Sequence, residues 1–106
     1  MKLKEGTKHD VGKVRLELIP PSLLYAVGEI LTLGAKKYED HNWAKGIKWS
    51  RVFGAMMRHM WSWWWGQDKD AEWGKSHLWH AACCLTFLIE YEKTRPEFDD
   101  RPNGGK

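Results

Sequence analysis

His77 and His80 stand three residues apart at the start of the last predicted helix, so both rings project from one face of its first turns. Two neutral imidazoles at that spacing are a workable pair of ligands for a divalent cation such as Mg, Mn or Zn. Asp68 and Asp70, just upstream, are placed to add oxygen ligands. His59 follows Arg58 late in the preceding helix. An antiparallel helix pair would carry it to the His77/His80 face as a further ligand or as a catalytic group. Glu29 is the lone acid inside the first helix and the candidate base for activating a water. The same histidines also suit a simpler arrangement, in which they hydrogen-bond one another, a carboxylate or the backbone without any metal.

A second group lies earlier in the chain. Lys36-Lys37-Tyr38 and Asn42-Trp43 place cations, hydrogen-bonding groups and flat aromatics within one helix end and its loop, a mixture that can hold a phosphate and stack on a base. Arg58 is a further phosphate ligand if the two groups share a pocket. The run Asp68-x-Asp70-x-Glu72-x-Gly74 superficially suggests a calcium loop. It fails because its glycine falls one position late and Trp79 occupies the place of the bidentate glutamate.

A chain of 106 residues has room for one domain and one modest core, and such chains often complete that core with a partner subunit. Charge is uneven: residues 1–15 carry +3, Lys36 to Arg58 carry +4, and His59 to Asp100 carry −4. A basic front half points to an anionic ligand, phosphate above all. The basic residues are not clustered on one helix and no nucleic-acid-binding module is present, so a nucleic-acid partner is not expected. No segment is apolar enough to span a bilayer and the N-terminus lacks a secretory apolar run, so no membrane partner and a cytoplasmic location are expected. Adjacent Cys83 and Cys84 read as small, inert, reduced core residues.

The elements that must position these residues are helices. Pro20-Pro21-Ser22 starts the first, with an apolar stripe at Leu24, Val27, Leu31, Ala35 and Tyr38. Ser50 is the expected N-cap of the second, whose apolar face is read as Phe53, Met56, Met57, Met60, Trp61 and Trp64. Ser76 caps the third, which is apolar nearly all round from Leu78 to Ile89 and so belongs at the centre or in an interface. The alternation Val14-Arg15-Leu16-Glu17-Leu18 is read as an extended arm or an edge strand. The expected fold is all-α, a small bundle of three main helices with an extended N-terminal arm, assembled as a homo-oligomer. Residues 1–93 form the one helical domain, and 94–106 are a polar, disordered tail.

Several motifs together resemble a family frequent in phages and prophages, the dATP/dGTP diphosphohydrolase N-terminal domain. They are Lys8-His9-Asp10-x-Gly12-Lys13-x-Arg15, Gly34-Ala35-Lys36-Lys37-Tyr38, Asn42-Trp43, Gly46, Arg58-His59 and His77-Leu78-x-His80-Ala81, spread over residues 8–92. The resemblance implies purine-nucleotide handling in a host-cell cytoplasm, with metal-assisted cleavage of a nucleoside triphosphate to monophosphate and pyrophosphate. It adds Lys13 and Arg15 to the nucleotide-binding set. This chain lacks the dense Glu/Asp clusters that better-known all-helical nucleotide pyrophosphohydrolases use to hold Mg²⁺. A non-catalytic, oligomeric nucleotide-binding sponge that sequesters a host immune signal is therefore the alternative.

Overall fold

The computed structural model describes residues 2–104, and among these it is all-helical, with no strand. Helix α1 spans Pro21–Lys37, α2 Trp49–Trp64 and α3 His77–Thr94; single 3-10 turns occupy Leu16–Leu18, Asn42–Lys45 and Pro96–Phe98. Among the described residues no helix is long and apolar enough to cross a membrane.

Helix α3 is central, as its all-round apolar surface demands, and both α1 and α2 pack on it. Ser76 caps it as expected, its hydroxyl accepting from the Leu78 N–H at 3.2 Å. Helices α2 and α3 run antiparallel. Trp49 and Tyr91 meet at one end and His59 meets His77 and His80 at the other. The core is built on Trp49, Val52 and Tyr91, packed round by Trp43, Ile47, Phe87, Leu88 and Phe98. Tyr91 is wholly enclosed, and its hydroxyl donates to the Trp43 carbonyl at 2.6 Å, which satisfies the polar tip of a buried ring.

Four details depart from the sequence reading. Leu16–Leu18 is an exposed 3-10 turn and not a strand, because no second strand exists to pair with it. In α1 the residues most deeply buried are Ala26 and Ile30, whereas Leu24 and Tyr38 of the expected stripe face solvent.

In α2 the helix is rotated from the expected orientation. Trp49 and Val52 turn inward, with Met56 and His59 following on the same side at spacings of three and four. Phe53, Met57, Met60, Trp61 and Trp64 remain 52, 45, 40, 58 and 69% exposed. The helix carries two apolar stripes, and the one that also delivers His59 to α3 is the one buried.

The C-terminal segment is folded back as far as Arg101. Phe98 packs on the core, and Asp100 accepts the Ser50 N–H at 2.8 Å and the Ser50 hydroxyl at 2.5 Å. The carboxylate thus caps α2 from outside, and Ser50 sits in the first turn behind Lys48 at the N-cap. Gly46 permits this return. Its φ of +104° suits glycine, and a Cβ there would run into the Phe98 ring. A segment too polar to fold alone is ordered by one aromatic and one helix cap.

Candidate functional site

At the loop end of the α2–α3 pair three imidazoles and one carboxylate converge. Asp70, in the loop between the helices, is the organiser. Its Oδ2 accepts the Trp73 N–H at 2.8 Å; its Oδ1 accepts the Lys75 N–H at 2.9 Å and His80 Nε2 at 2.9 Å. Burial alone would raise the Asp70 pKa, but the Trp73 N–H, His80 and the Lys75 N–H together hold it well below the usual carboxylate range. In the neutral ring, an ionised carboxylate accepting from Nε2–H fixes the His80 tautomer that carries its lone pair on Nδ1.

A second chain of bonds runs beside the first. His77 Nε2 lies 3.3 Å from Gln67 Oε1, and His77 Nδ1 lies 2.8 Å from His59 Nδ1. With Gln67 Oε1 accepting, His77 Nδ1 must accept in turn, so His59 donates from Nδ1 and keeps a lone pair on Nε2. The His59 and His80 rings stack at 4.4 Å and 7°, and Trp73 stacks on His80 at 5.5 Å. Burial, then His80 and His77, lower the His59 pKa to about 4, so this ring is neutral at physiological pH. Two lone-pair nitrogens, His59 Nε2 and His80 Nδ1, therefore belong to adjacent parallel rings. Among the described residues no buried side-chain nitrogen or oxygen lacks a partner.

Residues 4–101 match the family described as dATP/dGTP diphosphohydrolase, N-terminal. The chain belongs to that family. It is 38% identical over 96 residues to a dATP/dGTP diphosphohydrolase of Salmonella phage PMBT28. That alignment takes in 91% of this chain and 33% of the relative, so the chain spans about a third of that protein's length. No solved structure matches.

In this member of the diphosphohydrolase N-terminal family, His59, His77, His80 and Asp70 are brought together as expected. Asp68 stands apart, exposed, with its backbone carbonyl accepting the His77 N–H at 2.9 Å. No three His, Cys, Asp or Glu side chains among the described residues are poised around one point to hold an ion. Asp70 and both nitrogens of His77 are taken up by hydrogen bonds within the cluster.

Glu29 lies on α1 and pairs with Lys75 of the Asp70 loop at 3.0 Å, so it is already engaged by a cation. Lys37 pairs with Glu72 of the Asp70 loop at 2.9 Å and lies over the Tyr38 ring, which puts the end of α1 beside the site. Lys36 is exposed nearby in sequence. Trp43 and Asn42 lie elsewhere: Asn42 opens a 3-10 turn, and Trp43 is stacked on Phe87 at 4.9 Å and 12° within the core. Lys13 and Arg15 are exposed, Lys13 in a turn and Arg15 paired with Glu17 at 3.1 Å. Arg58 lines a groove between α2 and α3 next to the cluster.

Gln67 and Trp73 belong to the site and escaped the sequence reading. Their signal was the acidic loop itself. An Asp followed at three and five residues by backbone donors is a loop organiser as readily as it is a metal ligand.

Proposed function

We propose that this domain handles a purine nucleoside triphosphate and takes part in cleaving it to monophosphate and pyrophosphate. The observation that carries the reading is the pair of free ring nitrogens, His80 Nδ1 and His59 Nε2, held in place by Asp70 and by the Gln67–His77 chain. In this reading a water attacks the α-phosphorus and its proton passes to His80 Nδ1. The bond from that phosphorus to the bridging oxygen breaks, and pyrophosphate leaves. Asp70 stabilises the imidazolium so formed. Lys36, Lys37 and Arg58 supply the positive charge for the phosphates. Lys13, Arg15, Tyr38 and Asn42 are further contacts this reading inherits from the sequence. The family, and the activity in the phage relative's name, support the substrate class.

Incubation with dATP, dGTP and a panel of other nucleotides, with and without Mg, Mn or Zn, tests it by chromatography of the products. Cleavage lost in His80→Gln is expected. A panel recovered unaltered overturns the hydrolytic reading.

Sequestration without cleavage is favoured by one observation. The acids near the site are already committed, Glu29 to Lys75, Glu72 to Lys37 and Asp70 to His80. It predicts that tightly held ligand, including a host immune nucleotide signal, is released unchanged on denaturation.

We further infer that a second copy covers the exposed face of α2. Phe53, Met57, Met60 and Trp64 repeat at spacings of four, three and four, the pattern of a helix–helix seam, and Leu85 and Ile89 of α3 extend it. A standard interface buries about 800 Å² per partner, and these six exposed apolar side chains would form its centre.

A further inference from the structure

A groove of about 420 Å³ runs along α2 and α3 from the core end toward the histidines. Its α2 wall carries Arg51, Gly54 and Arg58, and its α3 wall Cys84 and Phe87. We propose that the Arg51–Gly54–Arg58 track is a polyphosphate subsite, along which a linear di- or triphosphate lies with one end directed at His59 and His80. The proposal rests on the nucleotide reading above and assigns its phosphates a place.

Three observations support it. First, positions i, i+3 and i+7 share one helix face, and the two arginine backbones are about 10 Å apart along the axis, a span suited to several phosphoryl groups in a row. Second, the charge on this face is uncompensated. Helix α2 contains no Asp or Glu, and among the described residues neither arginine has a carboxylate within ion-pair distance, whereas Arg15, Lys37, Lys45, Lys75 and Arg101 each have one. Asp100, at the rim beside Ser50, is already engaged by the Ser50 hydroxyl and N–H and lies in the field of Lys48. Burial pushes the Cys84 thiol up, so it stays protonated and adds no negative charge.

Third, Gly54 leaves the helix surface bare between the two arginines. A Cβ there would meet Arg58 Nη1 at 3.4 Å, so the guanidinium lies close over the glycine. Glycine inside a helix costs about 1 kcal/mol against alanine, and close approach of a guanidinium and its anion to the backbone offsets that cost. The forked, permanently charged arginine side chain is the one suited to bidentate phosphate contacts.

Calorimetric titration of the chain with inorganic tripolyphosphate tests the proposal. Arg51→Gln, on an exposed helix face, is expected to weaken binding about tenfold. Arg51→Lys should restore part of it, and Lys93→Gln, on the exposed side of α3, should leave it unchanged. No binding by the parent chain, equal loss in Lys93→Gln, or unchanged binding in Arg51→Gln would overturn it. Tighter, Arg51-dependent binding of a single-stranded oligonucleotide would overturn it in favour of a nucleic-acid track. The two readings fail separately. Nucleotide retained or cleaved equally by Arg51→Gln removes the subsite alone. Arg51-dependent tripolyphosphate binding in a chain that neither retains nor cleaves any nucleotide removes the nucleotide reading alone.

Discussion

His59 and His77 face each other through their Nδ1 atoms at 2.8 Å, so one proton serves both rings and the two cannot both be cations at that separation. His59, whose pKa is lowered to about 4 by burial and by its two histidine neighbours, is the ring this arrangement keeps neutral.

Stability should fall as the pH is lowered from about 6.5 toward 4. The folded chain binds the His59 proton with a pKa of about 4, whereas the unfolded chain binds it near 6.5. Between those values the unfolded state holds more protons, so the stabilisation present at neutral pH is lost through that window. Asp70, held low when folded, adds a further loss beginning near the ordinary Asp pKa of ~3.9. Urea unfolding across this range checks it, and His59→Gln should flatten the upper part of the slope.

Asp70→Asn is expected to cost about 2–4 kcal/mol at neutral pH. The carboxylate accepts three bonds through two oxygens, and an amide presents its own N–H groups to at least one of those donors. The same urea midpoint measures the loss, which should shrink at acid pH where Asp70 is itself protonated.

Gly46→Ala should destabilise by about 2 kcal/mol or more, since a side chain at φ +104° is strained and also meets Phe98. Hydrogen exchange of the Ser50 N–H, which Asp100 holds, should accelerate in the same variant. Slow exchange there with a normal melting temperature would argue against the Phe98 contact.

Trp64→Glu, at a position 69% exposed in the single chain, should leave the helical content intact and convert an oligomer to monomer in sedimentation. A parent chain that sediments as a monomer at high concentration would remove the proposed α2 interface.

Part of the site is legible in the sequence. Helical spacing puts His77 and His80 on one face at the head of a Ser-capped helix and offers His59 and Asp70 among the candidates to join them, and these four do meet. The orientation of α2 did not follow. A helix with nine Trp, Met, Phe and Val residues has two faces that satisfy a periodicity rule about equally, and tertiary contacts decide between them. Trp43 failed for a related reason. An aromatic beside lysines suits a base, but its ring area is worth more stacked on Phe87 inside the core. The segment after Thr94 was read from composition, which cannot register a single Phe placed opposite a glycine.

The Phe98 and Asp100 contacts lie at the far end of the α2–α3 pair from the histidines. One end is thus gripped by Trp49, Tyr91 and the returning chain, and the other is joined through the Asp70 loop and by the imidazoles' own bonds. The helix pair is therefore fastened at both ends by different means, apolar packing at one and a bonded loop at the other, so loosening either end leaves the other fastening in place.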